Sequence, residues 1–251
     1  MVVSKKLRAI EVALIACFTA LYVVLAFSPM FQVIGFFGKT ITAASVIAPV
    51  IGIILGPYLG VLSTLLGGIA SWSFSPFFFP PSLVAGVVTA VCAGLLYKGK
   101  QIFCILIYLI LLLCFGFYPT IGPFWIYPAM TWFQVIGFLV LISPLQSMAI
   151  KNITSHNPAK FLSCFFVVCL TSTLAGQIAG SLAFELSSST VIAPDLNAWR
   201  FTWQVLTFQY PLERVTMAII GALVGAPLLR VLRSANLTQV ISPESSREEF
   251  P

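Results

Sequence analysis

Ionisable groups are scarce enough in this chain to be picked out singly. Of its 251 residues only 8% are charged. Charged residues inside long apolar runs include Glu185 near the end of the run 161–186, and Glu213 with Arg214 in the run 204–232. A charge at membrane depth is costly unless it is partnered, so such residues mark ligand or ion sites by default. Successive helix residues point about 100° apart, so Glu213 and Arg214 are expected to find partners elsewhere rather than in each other. Either Glu185 pairs with Arg214 across a helix interface, or these groups hold the polar part of a small molecule. Gln177, Ser181 and Glu185 share one helical face at i, i+4 and i+8, and Trp132, Gln134 and Gln209 sit at similar depth. A ring stacked on tryptophan and oriented by amides and one charge is the usual economy of a small-molecule pocket. Trp132, Gln134, Gln177, Glu185, Gln209, Glu213 and Arg214 are therefore the candidate substrate-binding residues.

Catalytic and cofactor chemistry finds less to work with. GFFGKT (35–40) ends like a phosphate-binding loop, but the pattern GxxxxGK[ST] requires glycine where Val33 stands, and no strand precedes it. The single histidine, His156, lies between basic residues in KNITSHNPAK and reads as a surface group rather than the partner of a buried serine. All six cysteines fall inside apolar runs without a CxxC, which reads as packing rather than metal or redox chemistry. No catalytic residue, metal or cofactor is expected. A membrane enzyme acting on lipids would need clustered acids or histidines near the surface, and the sequence has none.

The elements that must position the candidate residues follow from composition. The chain is 59% hydrophobic with a mean hydropathy of +1.04, whereas soluble domains carry roughly 25% charged residues. The expected fold class is all-α, a polytopic membrane helix bundle in the plasma membrane. Its net charge of +6 is spread as pairs between apolar runs. Such pairs are topology signals, so the expected partner is the lipid bilayer and not nucleic acid. The opening SKKLR and the long run after it read as a retained first span, not a signal peptide.

Apolar segments run at 8–27, 41–55, 57–72, 82–97, 101–117, 130–150, 161–186 and 204–232. Threading them as eight spans with both termini cytoplasmic puts Lys5, Lys6, Arg8, Lys98, Lys100, Lys151, Lys160, Arg230 and Arg233 inside. Only Lys39 and Arg200 fall outside. Residues 1–235 then form one membrane domain, and 236–251 a disordered cytoplasmic tail. Segments 41–55 and 57–72 cover about 22–24 Å, less than the roughly 30 Å of hydrocarbon, and they meet at Gly56-Pro57. A turn that abrupt at membrane depth needs neighbouring protein or a cavity around it. The outward stretches 28–40, 73–82, 118–130 and 194–203 are rich in aromatics and proline. They are either an interfacial belt or lids over an outward-facing site.

Small residues mark close contacts. Ala175, Gly176, Ala179, Gly180 and Ala183 form one stripe, and Gly221 with Gly225 a GxxxG. Ala9, Ala13, Ala16 and Ala20 leave one face of the first helix nearly smooth. Lipid gives no reason to prefer alanine over leucine. That face meets either the protein's own interior or a separate polypeptide.

Three stretches together resemble the S component, the substrate-binding membrane subunit, of energy-coupling-factor (ECF) transporters. They are Ala16-Cys-Phe-Thr-Ala20 followed by Leu21-Tyr22, IGIILGPYLGVLSTLLGG (51–68) and LERVTMAIIGALVGAPLLRVL (212–232). The resemblance implies a high-affinity binding subunit for a vitamin or similar micronutrient. It further implies that Ala9, Ala13, Ala16 and Ala20 dock on a transmembrane coupling subunit that sits on two ATP-binding subunits. The loop after the first helix would cap an outer site, and the subunit would topple to release its cargo inward. Family members usually have six spans, so a hairpin at 101–150 reads as inserted. Metal-carrying relatives place a histidine almost at the N-terminus, where Val2 and Val3 stand here, which disfavours metal uptake. The tryptophans point to a ring-bearing substrate such as a flavin, thiamine or another heterocycle. The competing reading is a stand-alone, proton-coupled secondary transporter of a small organic solute, using Glu185 or Glu213.

Overall fold

Nearly all of the structure is helical, and glycines decide how closely the helices approach. The computed structural model describes residues 9–34, 38–155, 157–188, 195–235 and Leu237. His156, the basic residues before Ala9, and the expected tail apart from Leu237 lie outside the described residues. In chain order the elements are α1 (Ala9–Leu25), β1 (Pro29–Gln32), β2 (Thr40–Thr42), α2 (Ala44–Phe74), α3 (Pro81–Tyr97) and α4 (Gln101–Gly116). After these come α5 (Pro123–Ile126), a single 3-10 turn (Pro128–Thr131), α6 (Trp132–Ile142), α7 (Pro144–Asn152), α8 (Pro158–Ser188) and α9 (Leu196–Ser234).

α2 is two helices joined at Gly56, whose φ of 77° and ψ of 176° leave the helical region. The following Pro57 cannot donate a backbone hydrogen bond, so the break falls where the sequence places it. The chain folds back there. A Cβ on Gly60 would stand 3.1 Å from the Cα of Gly52, although eight residues of straight helix span about 12 Å. The last turns of α3 close over the reversal: a Cβ on Gly94 would lie 2.5 Å from the Pro57 nitrogen. The opening is thus sheltered by protein and not left to lipid.

α3 is the central element, packed against α2 on one side and α8 on the other. Gly176 and Gly180 of α8 admit it, since a Cβ on either would meet Ala85 of α3. α1 lies on α2, fixed by Tyr22, which fills the space over Gly67 and Gly86. The buried face of α1 is Glu11, Ile15, Phe18 and Tyr22. Ala9, Ala13, Ala16 and Ala20 are exposed.

Outward faces are apolar. On α4, Ile102, Phe103, Leu106, Ile110 and Leu113 are exposed while Cys104, Tyr108, Leu112 and Phe115 are buried. An apolar stripe on the outside of a packed helix suits lipid, not water. Among the described residues, α2, α8 and α9 are long and apolar enough to cross a bilayer. A fourth crossing follows if the bent pair Pro128–Ile142 and Pro144–Asn152 counts as one. This is a membrane-embedded helical protein, and α1, α3 and α4 are shorter apolar helices of 16–17 residues beside the long ones.

Three local expectations need correcting. The stretch after α1 is not an irregular loop. β1 and β2 pair as an antiparallel hairpin, the one sheet among the described residues. Residues 195–203 are not a loop either. Asp195 caps the nitrogen of Asn197 at 3.0 Å and starts α9 there, which lengthens that helix to 39 residues. Finally, the run 130–150 is bent by 61°. Ser143 is extended and its hydroxyl accepts from the nitrogen of Leu145, so Ser143-Pro144 is a helix start inside an apolar run.

Because backbone atoms crowd Gly94, Gly94→Ala should lower stability by about 1–3 kcal/mol. Thermal unfolding in detergent checks this, and an unchanged midpoint would contradict the packing described for the reversal.

Candidate functional site

A cavity lies at one end of the bundle, between the β1–β2 hairpin, the start of α2 and α3, the end of α8 and the first half of α9. It holds about 90 Å³ of space that water centres can occupy. The opposite end is basic. There Arg233 donates to the Tyr97 hydroxyl at 2.9 Å, and Arg230 lies over the Phe161 ring at 4.7 Å. α3, α8 and α9 each run from one end to the other. Their cavity residues (Ser82; Gln177 and Ser181; Gln209 and Glu213) are therefore separated along the helix axes from the basic cluster.

The hairpin forms the roof. The Lys39 ammonium donates to the carbonyls of Pro76 at 3.0 Å and Phe78 at 3.2 Å, tying the hairpin to the turn before α3. Gln32, Val33 and Ile34 face the cavity from above. On the α9 wall, Trp203, Leu206, Tyr210 and Glu213 recur at i, i+3, i+7 and i+10, one helical face. The Gln209 amide joins roof to wall. It donates to the Gln32 carbonyl at 3.5 Å and to Glu213 Oε1 through a short hydrogen bond.

Glu213 and Arg214 do pair, against expectation. Arg214 Nη2 lies 3.6 Å from Glu213 Oε2, with the two side chains 9% and 2% exposed. The Arg214 stem is long enough to carry its guanidinium around the helix, where the Tyr210 ring receives it at 5.3 Å. The pairing is incomplete. Among the described residues, Glu213 Oε2, Arg214 Nε and Trp203 Nε1 have no hydrogen-bond partner. Each such buried group costs about 1–3 kcal/mol relative to a satisfied one. The cavity is lined by residues that leave one acceptor and two donors unfilled.

Of the seven sequence candidates, Gln177, Gln209, Glu213 and Arg214 line the cavity, and three do not. Trp132 Nε1 donates to the Thr207 carbonyl at 3.1 Å. That carbonyl is left without its helical donor by Pro211 four residues on, so the indole supplies the donor that α9 lacks there. Gln134 is buried behind the wall, its amide 3.0 Å from that of Gln177, which in turn donates to Ser181 at 3.1 Å. Glu185 is fully buried, engaged by other groups, and outside the lining. Sequence reasoning missed Trp203 and Tyr210, which line the cavity. Extending the face of Glu213 backward by i−3, i−7 and i−10 would have found them. Among the described residues, no three His, Cys, Asp or Glu side chains are grouped as a metal site.

Comparison with known protein families, curated proteins and solved structures finds no match.

Trp132→Phe keeps the ring but removes the donor at the Pro211 break. It should cost about 0.5–1.5 kcal/mol in thermal stability while leaving the cavity's ligand binding unchanged. Loss of binding with unchanged stability would return Trp132 to the site.

Proposed function

We propose that this protein is the high-affinity binding subunit of an ATP-driven importer of the ECF type, carrying a vitamin or similar small organic micronutrient. The observation that carries the reading is the cavity beneath the β1–β2 hairpin, at the end opposite the basic cluster. By the positive-inside rule, the Arg230 and Arg233 end faces the cytoplasm, and the cavity then opens outward in a plasma membrane. The order of events follows from the parts. Substrate enters under the hairpin, the hairpin closes on it, and the chain carries it inward when partner ATPases drive the movement.

The exposed alanine face of α1 supports a partner. Ala9, Ala13, Ala16 and Ala20 lie away from the bundle, where lipid alone would accept larger side chains equally well. A coupling subunit bearing packed helices could approach that strip closely. The eight-span threading with both termini inside belongs to this reading. Glu213 keeps the second reading in play, because a buried carboxylate in the cavity suits a proton-coupled secondary transporter that needs no ATPase.

Two measurements decide between them. Ala16→Trp and Ala20→Trp should leave the protein folded and able to bind its substrate, yet lower co-purification with the coupling subunit about tenfold or more. Vesicles holding this chain alone should not accumulate substrate, whereas vesicles holding the assembled complex with internal ATP should. Uptake by the lone chain driven by a proton gradient would replace the first reading with the second.

A further inference from the structure

Charge, volume and unfilled hydrogen bonds in the cavity narrow what it takes. This rests on the binding reading above and goes further. Glu213 and Arg214 are the charged residues of the lining, one of each sign, 3.6 Å apart. Their charges already offset each other. An anionic ligand would have to compete with Glu213 for the cation, and a cationic ligand with Arg214 for the carboxylate. A phosphate ester or free carboxylate therefore gains no surplus cation among the described lining residues.

What stays open is a pattern and not a charge: an acceptor at Glu213 Oε2, a donor at Arg214 Nε and a donor at Trp203 Nε1. Amides and hydroxyls at Gln177, Ser181 and Ser82 surround them. The walls are flat. Phe79, Phe184, Trp203 and Tyr210 line the space, and Phe184 is braced from behind by Trp199 at a centroid distance of 5.5 Å and 23° between planes. The space available, about 90 Å³, is of the same order as the roughly 150 Å³ cavity that holds a benzene ring, which suits one ring with small substituents.

We infer that the ligand is a net-neutral, single-ring heterocycle or ring amide that presents an N–H donor beside an acceptor. Its N–H meets Glu213, and its acceptor meets Arg214 or Trp203, with the ring between the aromatic walls. The site rejects anionic analogues of the same size, because leaving Glu213 unpaired beside a second negative charge is costly.

The full chain, purified in mild detergent, is denatured and the released small molecules are identified by mass spectrometry. In parallel, thermal protection is measured with nicotinamide and nicotinate, which match in size and differ in charge. Expected is a near-stoichiometric released compound with one ring and no net charge, and for any protection seen, nicotinamide acting at about tenfold lower concentration than nicotinate. Glu213→Gln, which leaves Arg214 unbalanced, should shrink or invert that preference. Trp203→Phe, which keeps the ring, should weaken binding of the released compound about tenfold. A released phosphate ester or carboxylate, or a preference for nicotinate in the unmodified chain, overturns this inference and leaves the binding-subunit reading standing. No released compound and no protection by either probe overturns both.

Discussion

Lipid offers no hydrogen bonds, so every polar group at membrane depth must be answered by the protein or by something the protein holds. That constraint accounts for most of the unusual features of this chain. Pro211 frees the Thr207 carbonyl, and the Trp132 indole answers it. Gly56 and Pro57 open α2, and the end of α3 covers the opening. Gln134 and Gln177 answer each other inside the wall. Under the hairpin, where the helices part, three lining residues together leave two donors and an acceptor unfilled among the described residues, while Gln146 Nε2, Trp199 Nε1 and Thr40 Oγ1 are unfilled outside the lining. The functional reading starts from that cluster of three.

The same groups link the roof to the interior. One amide, Gln209, contacts both the Gln32 carbonyl of the hairpin and the Glu213 carboxylate. Gln209 occupies Glu213 Oε1 and leaves Oε2 open, so a group bound at Oε2 shares its carboxylate with the amide that holds the hairpin. At the other end, stacking of Arg230 and Arg233 on Phe161 and Tyr97 keeps the basic side chains beside the bundle.

Features set by local chemistry were legible in the sequence. The break at Gly56-Pro57 followed from residue type alone, and the glycine stripe on α8 announced its close approach to α3. The site was legible in part, because Gln177, Gln209, Glu213 and Arg214 are polar where their surroundings are not. Trp203 and Tyr210 escaped notice because an aromatic at helical spacing in an apolar run has the same signature whether it packs or lines a cavity. The partner of Trp132 was not legible for a different reason: it is a carbonyl 75 positions away, released by a proline that the local pattern does not connect to it. The Glu213–Arg214 pair was excluded by helix geometry at the Cβ level, which ignores how far an arginine stem can reach. Element boundaries escaped the sequence where they depended on caps, at Asp195 and at Ser143-Pro144, inside stretches whose hydropathy gives no warning.

On the proposed reading, a bound small molecule completes the polar groups beneath the hairpin. The most direct measurement is a cryo-electron-microscopy map of the full chain purified with its endogenous ligand, bound to a rigid antibody fragment for size. Compact density is expected in the cavity, within about 3 Å of Glu213 and of Arg214 or Trp203. An empty cavity, with ligand density elsewhere on the molecule or none at all, would contradict it.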